Sequence, residues 1–414
     1  MVRAFKKRHV LFFAVFIVVA LILYFITPSF FPYVFENVIS NNAEVLLASS
    51  TEDIFMVKHV ETPNQVKAIY MTSCVAGTPS FREKLVKIAK TTEINSLIID
   101  IKDYSGLVSI KTGNEIFDKS YKLSDCPVRD MKDFIEYLHS FDIYVIGRIT
   151  AFQDPYMTKI NPEWAVKKES DKNIIWKDRK GISFIDPGNR EMWKYLVDLG
   201  KESYAIGFDE INYDYIRFPS DGNMKDIYFP WSNDTIINNI ASNAIGTSTL
   251  AVKSGKSIIM RNFFEYLHNN LKDTGIVTSA DLFGMTTTNY DDLNIGQILE
   301  DAAPYFDYIA PMVYPSHYPV GFLNYKSVAE VNANGYNIVN YSMKIAVERL
   351  KAIGENPLKL RPWLQDNDYP VHYTSAMVRD QIQATYDAGL TSWMLWDAGN
   401  TYTIEALKPK TQNQ

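Results

Sequence analysis

Short apolar segments alternate with helical patterns eight times along this chain, and that rhythm limits the folds open to it. Continuous apolar strands are typical of parallel sheets covered on both faces, with helices as the crossover connections. Eight strand–helix units close a (β/α)8 barrel, the TIM-barrel fold of the α/β class. An open doubly wound sheet is the alternative, although no glycine-rich loop follows the first segment. The predicted strands are 66–71, 96–103, 143–149, 205–219, 276–281, 308–312, 360–364 and 392–396.

Capping signals and apolar spacing predict the helices between these strands. Ser80 and Glu83 form a capping-box pattern, and Asp186 before Pro187 predicts a helix that runs to Tyr204. The Asn-, Ser- and Gly-rich stretch 221–256 is predicted to be an insertion after the fourth strand, within a barrel domain of residues 65–408. Apolar residues at helical spacing predict further helices at about 131–138, 258–271, 295–302, 343–350 and 375–388.

The N-terminal stretch has the pattern of a membrane anchor. Arg3, Lys6, Lys7 and Arg8 precede the uncharged apolar run Val10–Ile26, which would span about 25 Å as a helix. The residues after the run offer a poor cleavage site, so we predict an uncleaved anchor over residues 1–31, cytoplasmic at its basic end, with the barrel outside. A cleaved signal peptide, and therefore a secreted protein, stays open. Residues 32–64 are predicted to be a stalk.

Charge and cysteine content exclude some functions and leave others open. The 414 residues carry a net charge of −6, which gives no basic field for nucleic acid, so no nucleic-acid partner is expected. The two cysteines, Cys74 and Cys126, could pair outside the cytoplasm, and the sequence does not decide whether they do. With two cysteines lacking a CxxC spacing and histidines scattered along the chain, we expect neither a metal site nor a cofactor.

The fourth segment, residues 205–219, combines a strand period with unusual charge. Its alternation predicts that Phe208, Glu210, Asn212 and Asp214 share one face. Unpaired buried carboxylates are costly, and polar groups at the C-terminal end of a barrel strand are the usual place for catalysis. Asp214 is therefore the best catalytic candidate. Glu210 should lie deeper in a hydrogen-bonded structural role, while Asp209 faces away.

Polar side chains follow several other strands, at the end where barrel enzymes build their active sites. Asp214 and Asp281 end adjacent strands, so a carboxylate pair for glycoside hydrolysis, one ionised and one protonated, is within reach. An Asp–Arg ion pair that closes the barrel top is the structural alternative. Tyr314, Trp363 and Trp396 could stack on sugar rings or fill the core. The predicted substrate-binding residues are Asp103, Arg148, Asn212, Arg217, Tyr314, His317, Trp363, Gln365, Trp396 and Asp397.

Eight motifs along the chain carry a family resemblance. They are IIDIKDYSG (98–106), IGRITAFQD (146–154), FIDPGNREMWKY (184–195), GFDEINYDYIRFPSDG (207–222), SADLFG (279–284), APMVYPSHY (310–318), RPWLQD (361–366) and MLWDAGNTY (394–402). From about Val66 to Thr403 the chain resembles the bacterial putative glycosyl hydrolase family with a TIM-barrel fold, which is distantly similar to amylase-like and chitinase-like barrels. The resemblance implies a carboxylate pair, which we carry to Asp214 and Asp281. Chitinase-like barrels have DxxDxDxE in the fourth strand, whereas Ile216 stands here at the position of the catalytic glutamate. That departure argues against substrate-assisted chitinase chemistry.

The leading hypothesis from the sequence is a membrane-anchored extracytoplasmic glycoside hydrolase that acts on a cell-envelope or extracellular polysaccharide. Asp214 would be its nucleophile or base and Asp281 its general acid, with Arg148 and Arg217 setting the local charge. A catalytically silent barrel that binds envelope glycan as an adaptor is the alternative. A carboxylate–metal hydrolase using Asp100, Asp103 and His317 is a weaker third hypothesis.

Overall fold

The computed structural model describes residues 57–232 and 255–410, and these form a closed barrel of eight parallel strands. Each strand pairs with the next along the chain, and β8 closes the ring by pairing with β1. The predicted (β/α)8 barrel is thereby confirmed. The strands are β1 Lys67–Met71, β2 Ser96–Lys102, β3 Tyr144–Thr150, β4 Glu210–Asp214, β5 Val277–Phe283, β6 Tyr308–Met312, β7 Trp363–Gln365 and β8 Trp393–Trp396.

The described helices connect the strands and form the outer layer. Apolar side chains on alternate strand positions, such as Ile69, Ile99 and Ile211, pack with apolar helix residues in one large cluster. The other strand positions point inward, where Ala68, Ile98 and further residues fill a separate cluster inside the barrel. The helices are α1 Ser73–Ala76, α2 Pro79–Thr91, α3 Glu115–Tyr121, α4 Met131–His139, α5 Pro155–Ile160, α6 Arg190–Ile206, α7 Gly255–Leu271, α8 Leu299–Ala302, α9 Val328–Ala333, α10 Gly335–Ala352 and α11 Ser375–Asp387.

The segment 205–219 is less of a strand than its sequence predicts. Its first residues end α6, Gly207 is the C-cap at a φ of 131°, and β4 itself covers only Glu210–Asp214. Phe208 precedes the strand and packs in the outer cluster, so the prediction that it shares a face with Asp214 is wrong. Glu210, the first residue of β4, accepts from Arg361 Nη1 at 2.7 Å and from Tyr144 Oη at 3.0 Å, in agreement with its predicted structural role.

Two predicted helix starts are wrong because a different residue occupies the N-cap position of each helix. Asn189, and not Asp186, accepts from the Met192 N–H at 2.8 Å and begins α6. Asp186 is buried and accepts from the Gly188 and Trp231 N–H groups at 2.9 and 2.7 Å, and burial raises its pKa to about 6. Thr78 occupies the N-cap position of α2, one residue before Pro79, so the Ser80–Glu83 pattern lies inside the helix.

The N-terminal predictions fall largely outside the described residues. The predicted anchor and most of the predicted stalk belong to this part, as do residues 233–254 of the predicted insertion. Of the described ranges, 57–232 and 255–410, none contains a helix with the length and apolarity for a membrane crossing. Residues 57–65 lie against the N-terminal end of the barrel, where the Val60 N–H donates to Asp209 Oδ1 at 2.8 Å and His139 Nε2 lies 2.9 Å from Asp209 Oδ2.

Cys74 and Cys126 form a disulfide, with their Cα atoms 4.6 Å apart. Cys74 lies in α1 after β1, and Cys126 lies in the connection after β2, so the bond joins two loops at the C-terminal end of the barrel. The sequence left this pairing open, and the fold provides it.

We expect the Cys74→Ala/Cys126→Ala double variant to lose about 2–4 kcal/mol of unfolding free energy, because the bond closes a loop 52 residues long in the unfolded chain. Urea denaturation of both proteins under oxidising conditions measures the difference. As a control, reductant should lower the stability of the wild type to that of the variant and leave the variant unchanged. Equal stability of wild type and variant without reductant would contradict the prediction.

Candidate active site

Four neighbouring strands, β2 to β5, gather charged side chains around one guanidinium. Arg148, at the C-terminal end of β3, donates from Nη1 to Asp100 Oδ1 at 2.7 Å and from Nε to Asp214 Oδ2 at 3.1 Å. Its Nη2 also donates to Asp214, and its Nε lies 3.8 Å from Asp281 Oδ2. Strand register produces the cluster, because Asp100, Arg148 and Asn212 stand level on β2, β3 and β4. One buried cation therefore faces three buried carboxyl groups.

Asp214 and Asp281 are close enough to act on one substrate bond. Their Oδ2 atoms lie 3.1 and 3.8 Å from the same Arg148 nitrogen, so they are at most about 7 Å apart. That bound admits the retaining separation of about 5–5.5 Å and the short end of the inverting range, which begins at about 6.5 Å. The structure thus brings the predicted pair together, while the catalytic roles stay a prediction.

The surroundings of Asp281 favour its protonated form. Burial raises the pKa of this carboxyl well above its ordinary value, and the nearby charge of Asp214 raises it further, while Arg148 lowers it in part. Asp281 Oδ1 accepts from Asn212 Nδ2 at 2.9 Å and from Trp363 Nε1 at 2.7 Å. Both donors lower the pKa in part, and the other oxygen, Oδ2, faces Arg148.

Asp214 is held in a fixed orientation by its own strand end. Its Oδ1 accepts from the Tyr215 N–H at 2.5 Å, and Tyr215 has a φ of 51°, in the left-handed region that tyrosine rarely adopts. Such strain persists where the surrounding structure imposes it, and it is common at functional sites. The Asp214 side chain is 6% exposed.

Sequence reasoning missed one member of the cluster, Tyr70 on β1. Its hydroxyl donates to Asp100 Oδ2, and its ring stacks on Trp396 at 4.2 Å between centroids. Burial raises the pKa of Asp100, which the Arg148 charge and the Tyr70 hydrogen bond partly offset. The available signal was the alternation in β1, where Tyr70 follows Ala68 at the inward spacing.

A cavity of about 360 Å3 opens among the loops that follow β6, β7 and β8, and the ring of Trp396 in its wall lies 5.6 Å from the Arg148 guanidinium. Tyr314, His317 and Trp396 line it, as their positions at strand ends predicted. Burial raises the pKa of the Tyr314 hydroxyl well above its ordinary value, and the charges of Asp281 and Asp214 raise it further. Burial lowers the pKa of His317, so this ring is neutral at pH 7. The cavity therefore has aromatic walls next to the charged cluster.

Four predicted substrate-binding residues make mainly structural contacts. Asp103 accepts from Ser105 N and Oγ, at 2.8 and 2.6 Å, within its own turn. Arg217 donates to Phe218 O at 3.0 Å and to Ser220 Oγ at 3.1 Å, so these hydrogen bonds lie in its own loop and not with Asp214. The other two also organise loops: Asp397 accepts from the Thr401 N–H, and buried Gln365 joins the β6 and β7 loops.

The residues of the metal hypothesis lie in different surroundings. Asp100 is engaged by Arg148 and Tyr70, Asp103 holds a turn, and His317 faces the cavity. Throughout the described part of the chain, no group of three His, Cys, Asp or Glu side chains is arranged to hold a metal ion.

A family model described as "putative glycosyl hydrolase domain" matches residues 68–402, which is the entire barrel from β1 to the loop after β8. The chain belongs to this family. No curated protein matches the sequence.

Solved structures show the same fold in glycoside hydrolases. The PgaB (BpsB) glycoside hydrolase domain from Bordetella bronchiseptica is 12% identical, with a TM-score of 0.57 over 84% of this chain and 100% of that one. Alpha-L-fucosidase isoenzyme 2 from Paenibacillus thiaminolyticus is 10% identical, with a TM-score of 0.52 over 83% of this chain and 48% of that one. A hypothetical protein from Ruminiclostridium thermocellum ATCC 27405 is 30% identical over 51% of this chain and 96% of its own, with a TM-score of 0.42. Because the first two proteins are only 12% and 10% identical to this chain, their similarity shows a shared fold alone.

Proposed function

We propose that this protein hydrolyses glycosidic bonds of a cell-envelope or extracellular polysaccharide, with Asp214 and Asp281 as its catalytic pair. The observation that carries the proposal is the asymmetric pair at the ends of β4 and β5. Both carboxyl groups face Arg148 Nε within 4 Å, yet only Asp281 lacks a hydrogen bond from the guanidinium. Glycoside hydrolysis requires two such groups in opposite protonation states. Family membership supports the same reaction class.

The contacts favour a different role for each group. In this mechanism Asp281 is protonated on Oδ2 and delivers its proton to the leaving oxygen, a role that the pKa raised by burial supports. Asp214, bound by the Arg148 guanidinium, would act as the carboxylate that either attacks the anomeric carbon or activates water. Asn212 and Trp363 hold Asp281 Oδ1 and so fix the direction in which the proton points.

Product analysis tests the proposal. The purified full-length chain is incubated with a panel of neutral, amino and acidic polysaccharides in H2 18O, and new reducing ends are identified by mass spectrometry. Glycosidic hydrolysis predicts one 18O atom per new reducing end. Proton NMR of the first products then distinguishes retention from inversion at the anomeric carbon. If the panel includes glycans that the protein binds and no product is released from any of them, the proposed hydrolase activity is refuted.

A silent glycan-binding barrel is the second candidate, and the position of Arg148 favours it. The guanidinium already hydrogen-bonds Asp214 and Asp100, which leaves Asp214 less free to act as a nucleophile. In this case the protein would bind glycan and release nothing. The same incubation, followed by recovery of intact glycan bound to the protein, identifies this outcome.

We also propose that the chain is held in the cytoplasmic membrane with its barrel outside. The basic residues before the apolar run Val10–Ile26 support this orientation, as does a disulfide between Cys74 and Cys126, since such bonds persist in oxidising compartments. Membrane fractionation with alkaline extraction, and protease digestion of intact spheroplasts, test it. Release of the full-length chain by alkaline extraction, or protection of the barrel in spheroplasts, would overturn it.

A further inference from the structure

The cavity presents two aromatic residues to solvent, one on a loop and one at a strand end. Tyr369, in the loop after β7, is 68% exposed, and Trp396 at the end of β8 is half-buried. Both line the cavity together with Tyr314, and the charges of Asp281 and Asp214 raise the pKa of the Tyr314 hydroxyl. A tyrosine that is left so exposed contributes little to folding, because most of its surface remains in water. The position of Tyr369 at the cavity mouth therefore indicates a role in ligand binding.

Buried Gln365 fixes the position of this exposed tyrosine. The Gln365 side chain is fully buried, and its Nε2 donates to Tyr369 O at 2.5 Å and to Asn367 O at 3.3 Å. Its Oε1 accepts from the Ser316 N–H at 3.2 Å, on the loop after β6. One buried amide therefore sets the spacing of two walls of the cavity. Loops that are organised in this way are prearranged for a ligand, and less ordering is needed when it binds.

The size and charge of the cavity limit what it can bind. About 360 Å3 is at the low end of small-ligand pockets, which span roughly 300–1,000 Å3, so the space suits one or two sugar rings. Among the described residues that line it, Asp368 is charged and none is Lys or Arg. The nearest cation of the cluster, Arg148, already contacts Asp100, Asp214 and Asp281. A carboxylate on the ligand would meet negative charge without a free partner.

We infer that this cavity is a sugar-binding subsite that takes a neutral or amino sugar ring between Tyr369 and Trp396 and excludes uronic acids. The inference rests on the proposed function and adds the substrate class. Aromatic rings pack on the apolar C–H face of a pyranose, while Asn367 and Ser316 supply polar groups at the edge. Tyr369 would be the residue that determines affinity at this subsite, and Gln365 would be its positioning residue.

Binding to the full-length Asp214→Asn variant tests the subsite without turnover. Isothermal titration calorimetry at pH 7 compares hexasaccharides of glucose, glucosamine and galacturonic acid. We expect the first two to bind and the galacturonate to bind at least about tenfold more weakly. Adding Tyr369→Ala should weaken the binding of the first two about tenfold or more. The matched control is Tyr137→Ala, which removes a partly exposed tyrosine from α4 on the outer surface and should leave the affinity unchanged.

A second variant separates positioning from direct contact. Gln365→Glu keeps an acceptor for the Ser316 N–H but removes the bonds that Gln365 donates to Tyr369 O and to the O and Oδ1 atoms of Asn367. Its affinity should fall, and combining it with Tyr369→Ala should cost little more, because both changes act through the same ring. A merely structural role for Gln365 would instead give additive losses.

Three results would overturn the subsite. They are equal affinity of the Tyr369→Ala variant, preferential binding of the galacturonate, and no binding by any of the three probes. These results do not decide whether the protein is a glycoside hydrolase. Tyr369-dependent binding without hydrolysis by the wild type supports the subsite and contradicts the proposed hydrolase activity. Hydrolysis that does not depend on Tyr369 supports the hydrolase activity and contradicts the subsite.

Discussion

Asp281→Asn is expected to reduce turnover by about 10^2–10^4-fold, and Asp214→Asn by at least as much. Asparagine at 281 can still accept from Trp363 Nε1 at its carbonyl oxygen, but it has no proton to give to the leaving group. Asparagine at 214 removes the carboxylate that must attack the anomeric carbon or activate water. Both changes preserve shape in a buried site, so the loss should appear in kcat more than in KM.

The pH profile distinguishes the two roles. Because burial and the Asp214 charge raise the pKa of Asp281, wild-type activity should persist above the ordinary carboxyl range and fall when the pH rises through that raised pKa. The Asp281→Asn variant should lack this decline on the alkaline side. Small external nucleophiles such as azide are expected to rescue Asp214→Asn if the enzyme retains configuration. Steady-state rates over a pH series measure these effects.

An exposed carboxylate provides the control for both variants. Asp133 lies exposed at the surface of α4, in the outer layer of helices, and Asp133→Asn should keep wild-type rates and pH profile. Thermal melting of all three variants verifies that each is folded. Wild-type turnover in either cluster variant would contradict the assignment of that residue. Additive losses in the double variant would show that the two groups do not act as a unit.

The barrel was predictable because each strand carries its own signal. Apolar runs such as Ser96–Lys102 and Tyr144–Thr150 are buried along their whole length, so hydrophobicity alone reveals them. Boundaries were less predictable where a loop continues the polar–apolar alternation. β7 is a case in point: it was predicted at 360–364, whereas the strand begins only at Trp363.

The candidate site was predictable to the extent that position along a strand determines it. Asp214, Asp281 and Arg148 were found because they end inward-facing positions of β3 to β5. Partners from distant parts of the chain gave no local signal. The Arg361–Glu210 pair joins residues 151 apart, and the hydrogen bond from Trp363 to Asp281 spans 82. Conversely, Asp103 and Arg217 looked available in sequence, and short loop contacts engage them.

Arg148→Met is expected to lower the free energy of unfolding at pH 7 by about 3–5 kcal/mol and to abolish measurable activity. The variant leaves Asp100, Asp214 and Asp281 buried near one another without their shared cation. Like charges in a poorly solvated site cannot all remain ionised, so the carboxyl groups would take up protons. Methionine fills most of the volume, which separates the loss of charge from the loss of packing. Arg82→Met is the matched control, because Arg82 pairs with the more exposed Asp130 near the surface and its loss should cost about 1 kcal/mol or less.

Acid should partly restore the Arg148→Met variant, and this result identifies the charges as the cause. Without the guanidinium, the three carboxyl groups have folded-state pKa values above their unfolded values of about 4. The folded state then binds more protons than the unfolded state between those values, so stability falls as the pH rises through that window. The difference from the wild type should therefore be largest at pH 7 and shrink on acidification to about pH 5, as urea titrations at both pH values would measure. A deficit that is the same at both pH values would mean that Arg148 acts by packing. In that case the asymmetric protonation of Asp214 and Asp281, on which the proposed chemistry depends, would lose its cause.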